Sequence, residues 1–537
     1  MTLAWWQRGV VYQIYPRSFQ DSDGDGTGDL RGIISRLDYF TWLGVDAIWV
    51  SPVYPSPMTD FGYDVSDYCD IDPLFGTLAD MDALIAEAHL RGLKLILDYV
   101  PNHTSDQHPW FIESRRSRNS PKRDWYLWHN AASDGSPPNN WLSNFGGPGW
   151  TWDAASGQYY YHSFLPTQPD LNWRNPEVRA AMFDVLRFWL RRGVDGFRVD
   201  VMWMMIKDEQ FRDNPPNPEY RPGSASHERL LPLYTADRPE VQDLVAAMRT
   251  VLEEFEDRVL IGELYLPIDR LVAYYGQDGR GAHLPFNFQL LLMQKWNAQA
   301  VTDIVDRYHA ALPSGGWPNW VLGNHDRSRI ATRVGSSQAR VAALLLLTLR
   351  GTPTIYMGDE LGMIDTPIPD AETQDPAEMR EPGKALGRDP ERTPFPWKPG
   401  PGAGFTTGRP WLRVGLDTPL SEQRDDPTSM VSLYHSLLSL RRQNTGLAVG
   451  SISHIAADGQ VLSYRRSGDH GTTFVILANT SDTPVTIATT PGEVVLSTHG
   501  DRVGERVAKA LVLRGDEALI LEKVPIRLPL GDDGPAN

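Results

Sequence analysis

The chain has 537 residues, 41% hydrophobic and 22% charged, with a formal net charge of -17. That length and balance describe a folded protein with one large domain and room for one or two smaller ones, and they exclude a disordered chain. The acidic surplus argues against nucleic acid, which needs a basic face, and favours a small neutral or cationic substrate.

The N-terminal stretch MTLAWWQRGVVYQIYP lacks the apolar core of a signal peptide, and no later run reaches the roughly 20 apolar residues of a membrane span. The single cysteine, Cys69, gives no intrachain disulfide. The expectation is a cytoplasmic protein with no membrane partner.

In chain order, the first apolar run, 10–15, is followed by DSDGDGTGD. There Asp21, Asp23, Asp25 and Asp29 alternate with glycines, so a tight loop can aim several oxygens at one hard cation; the alternative is a polar surface turn. Seven further short apolar runs follow at 47–51, 93–100, 196–201, 259–264, 284–288, 320–326 and 352–360. Between them lie helical patterns such as 78–91, closed by Gly92, and 178–192, closed by Gly193. Near-continuous apolar strands alternating with helices predict a parallel sheet covered on its outside, and eight such units predict an α/β fold, a closed (β/α)8 barrel.

Two stretches break the repeat. Residues 104–167 are rich in Asn, Ser, Pro, Gly and Trp and are too long for a βα loop, which predicts a domain inserted after the third strand on the barrel's catalytic face. From 443 to 537 apolar and polar residues alternate around Asp-Gly turns, which predicts an antiparallel β domain. The barrel then comprises 1–103 and 168–442. The proline-rich runs 214–227 and 367–394 are candidate rims of a pocket.

In such a barrel the chemistry sits at the C-terminal ends of the strands. Asp98 closes the third run, Asp200 the fourth, Glu263 the fifth and Asp326 the seventh, with Arg198, His103 and His325 beside them. Acids crowded into one partly buried space push their pKa values apart, which produces an acid and a nucleophile at neutral pH. Paired carboxylates with aromatic neighbours and no phosphate loop point to glycosidic bond cleavage.

The motifs DYVPNHTS, QPDLNW, DGFRVDV, IGELY and LGNHDRSR occur in the order seen in the alpha-amylase superfamily, glycoside hydrolase family 13. The stretches WWQRGVVYQIYPRSFQDSDGDGTGDLRGI and DFGYDVSDY resemble its alpha-glucosidase and oligo-1,6-glucosidase branch, from Trp5 to about Arg442. The resemblance implies that Asp200 is the nucleophile, Glu263 the general acid/base and Asp326 the transition-state stabiliser. It further implies that Arg198 holds Asp200 ionised and that Asp98, His103 and His325 bind glucose hydroxyls. Tyr63 and Phe164 would wall the pocket, with core packing as the alternative for both.

Asp60 and Arg388 match a salt bridge that closes the pocket beyond one glucose, with a surface ion pair as the alternative. The acidic loop resembles a structural Ca2+ or Mg2+ site completed by the carbonyl of Thr27; no cofactor is expected for catalysis. Val201, after the nucleophile, matches alpha-1,6 enzymes, whereas the following MWMMIKD resembles broader alpha-glucosidases.

The expected activity is exo-acting, retaining release of glucose from short alpha-glucosides, maltose-type preferred, with glucosyl transfer to acceptors. The expected partner is thus a small neutral oligosaccharide. Oligo-1,6-glucosidase and trehalose synthase or sucrose isomerase are the alternatives. An inactive carbohydrate-fold scaffold would lack one of the three acids and carry a membrane span; a trehalose-6-phosphate hydrolase would carry a basic cluster near the rim, and none is recognisable.

Overall fold

Eight short strands pair in parallel in a computed structural model that describes residues 3–468 and 471–523. They are β1 (Val11–Ile14), β2 (Ala47–Val50), β3 (Lys94–Tyr99), β4 (Gly196–Val199), β5 (Val259–Gly262), β6 (Leu284–Pro285), β7 (Asn319–Val321) and β8 (Thr352–Tyr356). Their spatial order is β7-β8-β1-β2-β3-β4-β5-β6. The expected (β/α)8 barrel is therefore present.

Its closure between β6 and β7 depends on a side chain. Pro285 in β6 has no N–H to give a ladder, and Asn319 of β7 replaces the missing bonds: its Nδ2 donates to the Pro285 carbonyl at 2.6 Å and its Oδ1 accepts from Asn287 N–H at 2.8 Å. Several strands are shorter than the apolar runs predicted. The 352–360 run ends as a strand at Tyr356 and turns at Asp359–Leu361, and the 320–326 run leaves the sheet after Val321. Asp326 is thus carried by a loop beyond β7.

Alternation along each strand sorts the barrel into two layers. Val11, Ala47, Trp49, Ile96, Val259 and Ile261 share the interior cluster, whereas Tyr12, Ile48, Leu95, Leu97 and Leu260 pack outward against the helices. The helix predicted at 78–91 is Leu78–Leu90, opened by a capping box between Thr77 and Asp80. The one predicted at 178–192 is Pro176–Arg192. Asn175 caps it, Pro176 occupies the first turn where its missing N–H costs nothing, and Gly193 ends it at φ 109°.

Between β3 and β4 the chain forms a three-stranded antiparallel sheet of Trp128–His129, Gln158–Tyr161 and Trp150–Asp153. It buries Trp141, Trp150 and Tyr161 together. After the helices Met430–Gln443 and Thr445–Ala448, antiparallel strands begin at Ser451 and build a six-stranded sheet and a separate two-stranded one. Residues 524–537 of the C-terminal stretch lie outside the described residues. No described helix is long and apolar enough to cross a membrane.

Candidate active site

The alternation that sends Ile96, Val259 and Ile261 inward also sends the next same-face residues inward at the strand ends. Ile96 is followed on its face by Asp98, Gly196 by Arg198 and Asp200, and Ile261 by Glu263. Register then aligns them: Asp98 pairs with Arg198 across β3 and β4, and Arg198 with Ile261 across β4 and β5. Gly196 starts this row because any Cβ there would strike the Val259 carbonyl of β5 at 2.4 Å.

Arg198 is the hub. Its Nη1 donates to Asp98 Oδ1 and Asp200 Oδ1, each at 2.7 Å, and its Nη2 meets Glu263 Oε1 at 2.8 Å. The guanidinium is 1% exposed, so these pairs form without water. One cation faces three buried carboxylates, and the surplus negative charge has to be relieved by protonation. Burial accordingly pushes Asp200 well above the usual carboxylate range; Arg198 opposes this, and Glu263, Asp98 and Asp326 add to it. Glu263 and Asp98 are also raised, chiefly by burial and against the pull of Arg198. All three carboxyls are thus pushed toward the protonated form, the direction a general acid requires.

Asp326 has the opposite setting. Burial pushes it up, but His325, Arg392, Arg388 and Arg198 together outweigh that and hold it below the usual carboxylate range. Since burial keeps His325 itself neutral, the guanidiniums carry this effect: Arg392 Nη2 lies 2.8 Å and Arg388 Nη1 3.4 Å from Asp326 Oδ1. At 21% side-chain exposure, Asp326 still presents an oxygen to the pocket.

His325 and Tyr63 form a proton-ordered chain. Gln13 Nε2 is 2.7 Å from His325 Nδ1, and Tyr63 Oη lies 2.8 Å from His325 Nε2 and 3.1 Å from Asp98 Oδ2. The carboxylate only accepts, so Tyr63 donates to it and His325 Nε2–H donates to Tyr63. The Tyr63 and His325 rings lie nearly parallel with centroids 5.4 Å apart. His103 Nε2 is 3.0 Å from the Tyr63 carbonyl. Phe164 sets its edge against His103 at 5.3 Å and shares a small cluster with Val201, Met204 and Ala236.

Val201 is a β-branched residue in the left-handed region, φ 37° and ψ 46°, a conformation that costs on the order of 1–3 kcal/mol. The turn aims its N–H at Glu263 Oε2, 2.8 Å away, so the strained residue also orients the acid.

Asp60 and Arg388 meet at 2.8 Å, and both are mostly buried. Arg388 also binds Asp375 at 2.6 Å, and Gln168 Nε2 donates to Asp60 Oδ2 at 3.0 Å. The pair is thus part of a buried network, unlike an isolated surface ion pair. Around it the rim segments tie together: Ser226 N–H donates to Glu381 at 2.9 Å and Arg380 Nε to the Phe145 carbonyl at 3.0 Å.

In the acidic loop the carboxylate oxygens of Asp21, Asp23 and Asp29 come within 4.8 Å of one another. This all-oxygen set fits a hard cation such as Ca2+ or Mg2+. Asp25 stands outside that group; its Oδ1 accepts the Thr27 N–H at 2.7 Å. Thr27 itself is buried in the same loop.

Sequence reasoning missed Trp49, Arg392, Asp375 and Gln168 as members of the site. Trp49 Nε1 donates to Asp98 at 3.2 Å, and Arg392 also reaches the His325 carbonyl at 2.7 Å. Arg392 lies 66 residues along the chain from Asp326, Asp375 only 13 from Arg388, and only their place in the proline-rich 367–394 segment hinted at them.

Residues 13–450 match the family described as "Alpha amylase, catalytic domain", and 451–520 match a domain of unknown function, DUF3459. A probable alpha-glucosidase of Rhizobium meliloti (strain 1021) is 42% identical over 90% of both chains. An oligo-1,6-glucosidase of Parageobacillus thermoglucosidasius is 38% identical over 90% of this chain and 92% of its own. Among solved structures, an alpha-glucosyl transfer enzyme superposes with a TM-score of 0.92 at 40% identity, covering 97% of this chain and 100% of its own. The trehalulose synthase of Pseudomonas mesoacidophila MX-45 gives 0.89 at 34% identity over the same shares. With its barrel, its inserted domain and this match over most of its length, the chain belongs to the alpha-amylase family of glycoside hydrolases.

Proposed function

We propose that this protein is a retaining, exo-acting alpha-glucosidase that releases glucose from the non-reducing end of short alpha-glucosides and transfers glucosyl groups to acceptors. The observation that carries this reading is the attachment of Asp200 and Glu263 to the two terminal nitrogens of one buried guanidinium. In the proposed reaction Asp200 attacks the anomeric carbon while Glu263 gives its proton to the leaving oxygen. Glu263 then takes a proton from water or an acceptor hydroxyl, which displaces Asp200. Asp326, held ionised by Arg392 and Arg388, accepts hydroxyl hydrogen bonds that shorten as the ring gains positive charge. His103, His325 and Asp98 would contact the glucose hydroxyls, with Tyr63 and Phe164 as walls.

The Asp60–Arg388 pair, anchored to Asp375 and Gln168 and mostly buried, supports chain-end selectivity as a fixed barrier beside the glucose pocket. Glucose is the expected first product from maltose and from starch alike. Arg388→Ala is expected to lower kcat/KM for maltose on the order of 30-fold or more, since it leaves the buried Asp60 without its cation and Asp375 with only Arg392 at 3.7 Å. Rapid fragmentation of starch into mixed oligosaccharides by the unmodified protein would contradict the exo reading. For linkage, maltose is expected to exceed isomaltose in kcat/KM; a value for isomaltose more than about tenfold above that for maltose would assign the enzyme to alpha-1,6 bonds.

The loop of Asp21, Asp23 and Asp29 is proposed as a structural Ca2+ or Mg2+ site, with Asp25 and the Thr27 carbonyl as further candidate donors. A cation at about 100 times its Kd adds about 2.7 kcal/mol, which for a chain of this length is roughly 2–3 °C in Tm. Chelation is expected to lower Tm by that amount while activity at low temperature survives. An unchanged melting curve with no metal found by elemental analysis would remove the site. A cytoplasmic location is also proposed, on the single cysteine.

A further inference from the structure

Lys207 lies in the loop after β4, is 4% exposed, and has no part in the reaction as described. Its ammonium pairs with the Asp170 carboxylate and donates at 2.6 Å to both Asn102 Oδ1 and the Met204 carbonyl. An ammonium only donates, so the amide oxygen of Asn102 must face Lys207. The two amide hydrogens are thereby turned the other way. One points to Asp170 Oδ2 at 3.1 Å and the other to His103 Nδ1 at 3.2 Å.

A ring nitrogen that receives an N–H cannot carry one. The His103 proton then sits on Nε2, 3.0 Å from the Tyr63 carbonyl that accepts it; the Gln168 amide nitrogen, a donor 3.2 Å from the same atom, competes for it but already donates to Asp60 Oδ2 at 3.0 Å. All four residues are buried, at 4% exposure or less for Lys207, Asn102, His103 and Asp170, so no water can substitute for a lost partner.

We propose that Lys207 is a positioning residue that, through the Asn102 amide, fixes the Nε2–H tautomer of His103. The consequence for turnover rests on the reading of His103 as a hydroxyl contact in the glucose pocket. A role limited to neutralising Asp170 would leave the tautomer untouched, which separates the two roles.

The test uses full-length protein labelled with 15N-histidine, with the His103 signals identified by their loss in His103→Gln. The unmodified protein should show a protonated Nε2 and a bare Nδ1. Asn102→Asp keeps a partner for Lys207 but has no donor for Nδ1, so the proton should move to Nδ1. Lys207→Met/Asp170→Asn leaves the net charge unchanged and should give a mixture of tautomers. In both variants kcat/KM for maltose should fall about tenfold, the value of one buried hydrogen bond. The double variant provides the reading if the single one fails to fold. Nδ1 protonation in the unmodified protein, an unmoved tautomer in both variants, or a moved tautomer with kcat/KM unchanged within about twofold would each overturn the proposal. An unmodified protein inactive on alpha-glucosides would instead strike the functional reading and leave the tautomer result standing.

Discussion

Asp200→Asn should lower kcat for maltose by about 10⁴-fold or more while leaving the fold intact, because an amide cannot form the glucosyl ester. The same substitution should not destabilise the protein at neutral pH. Burial raises Asp200, so its contribution to stability is fully present below its unfolded pKa of about 3.9 and is lost as pH rises through the higher native value. Removing the carboxyl should therefore flatten the fall in Tm as pH rises above about 3.9. Steady-state kinetics and melting curves across that range check both parts. A folded Asp200→Asn variant with substantial turnover would remove Asp200 as the nucleophile.

Arg198→Met should have the largest effect on stability. It deletes contacts to three carboxylates that are nearly or wholly out of water and leaves them uncompensated, at a cost of about 3–5 kcal/mol. For a chain of this length that is roughly 3–5 °C in Tm at neutral pH. The loss should shrink toward acid pH, where the orphaned carboxyls take up protons. Activity should be lost across the whole range, since neither Asp200 nor Glu263 keeps its orientation. Arg198→Lys should recover part of the stability and little of the activity, because a single ammonium lacks the planar fork that spans Asp98, Asp200 and Glu263 at once. A Met variant that melts like the unmodified protein at neutral pH would contradict the hub.

Much of this site was legible in the sequence because strand alternation is a local property. Ile96–Asp98, Arg198–Asp200 and Ile261–Glu263 each sit two apart, and any eight-stranded reading brings their inward faces to one rim. The helix end at Gly193 was legible for the same reason, as its cap is written into adjacent residues, whereas the start at Pro176 lies two residues before the 178 expected. What was hidden depends on loops. Asp326 reads as a strand end but hangs beyond β7, where Arg392 and Arg388 from the 367–394 segment set its charge. The left-handed turn at Val201 has no sequence signal either, since a β-branched residue argues against it. Barrel closure through Asn319 was equally invisible, because nothing near Pro285 announces a distant amide.

The electrostatic pattern also accounts for how one rim supplies different chemistries. Asp326 is surrounded by cations and held toward its ionised form, while Asp200 and Glu263 share one cation and are pushed toward the protonated form. The expected cost is stability lost on raising pH, a common exchange at catalytic sites.

The central claim is that Asp200 and Glu263 act as nucleophile and acid/base in a double displacement, which needs carboxyl groups about 5–5.5 Å apart and preserves the configuration at the anomeric carbon. Proton NMR of maltose hydrolysis, recorded before mutarotation equilibrates the sugar, tests it most directly. The account predicts that the alpha anomer of glucose accumulates first from the non-reducing unit; beta-glucose at the earliest times would contradict it.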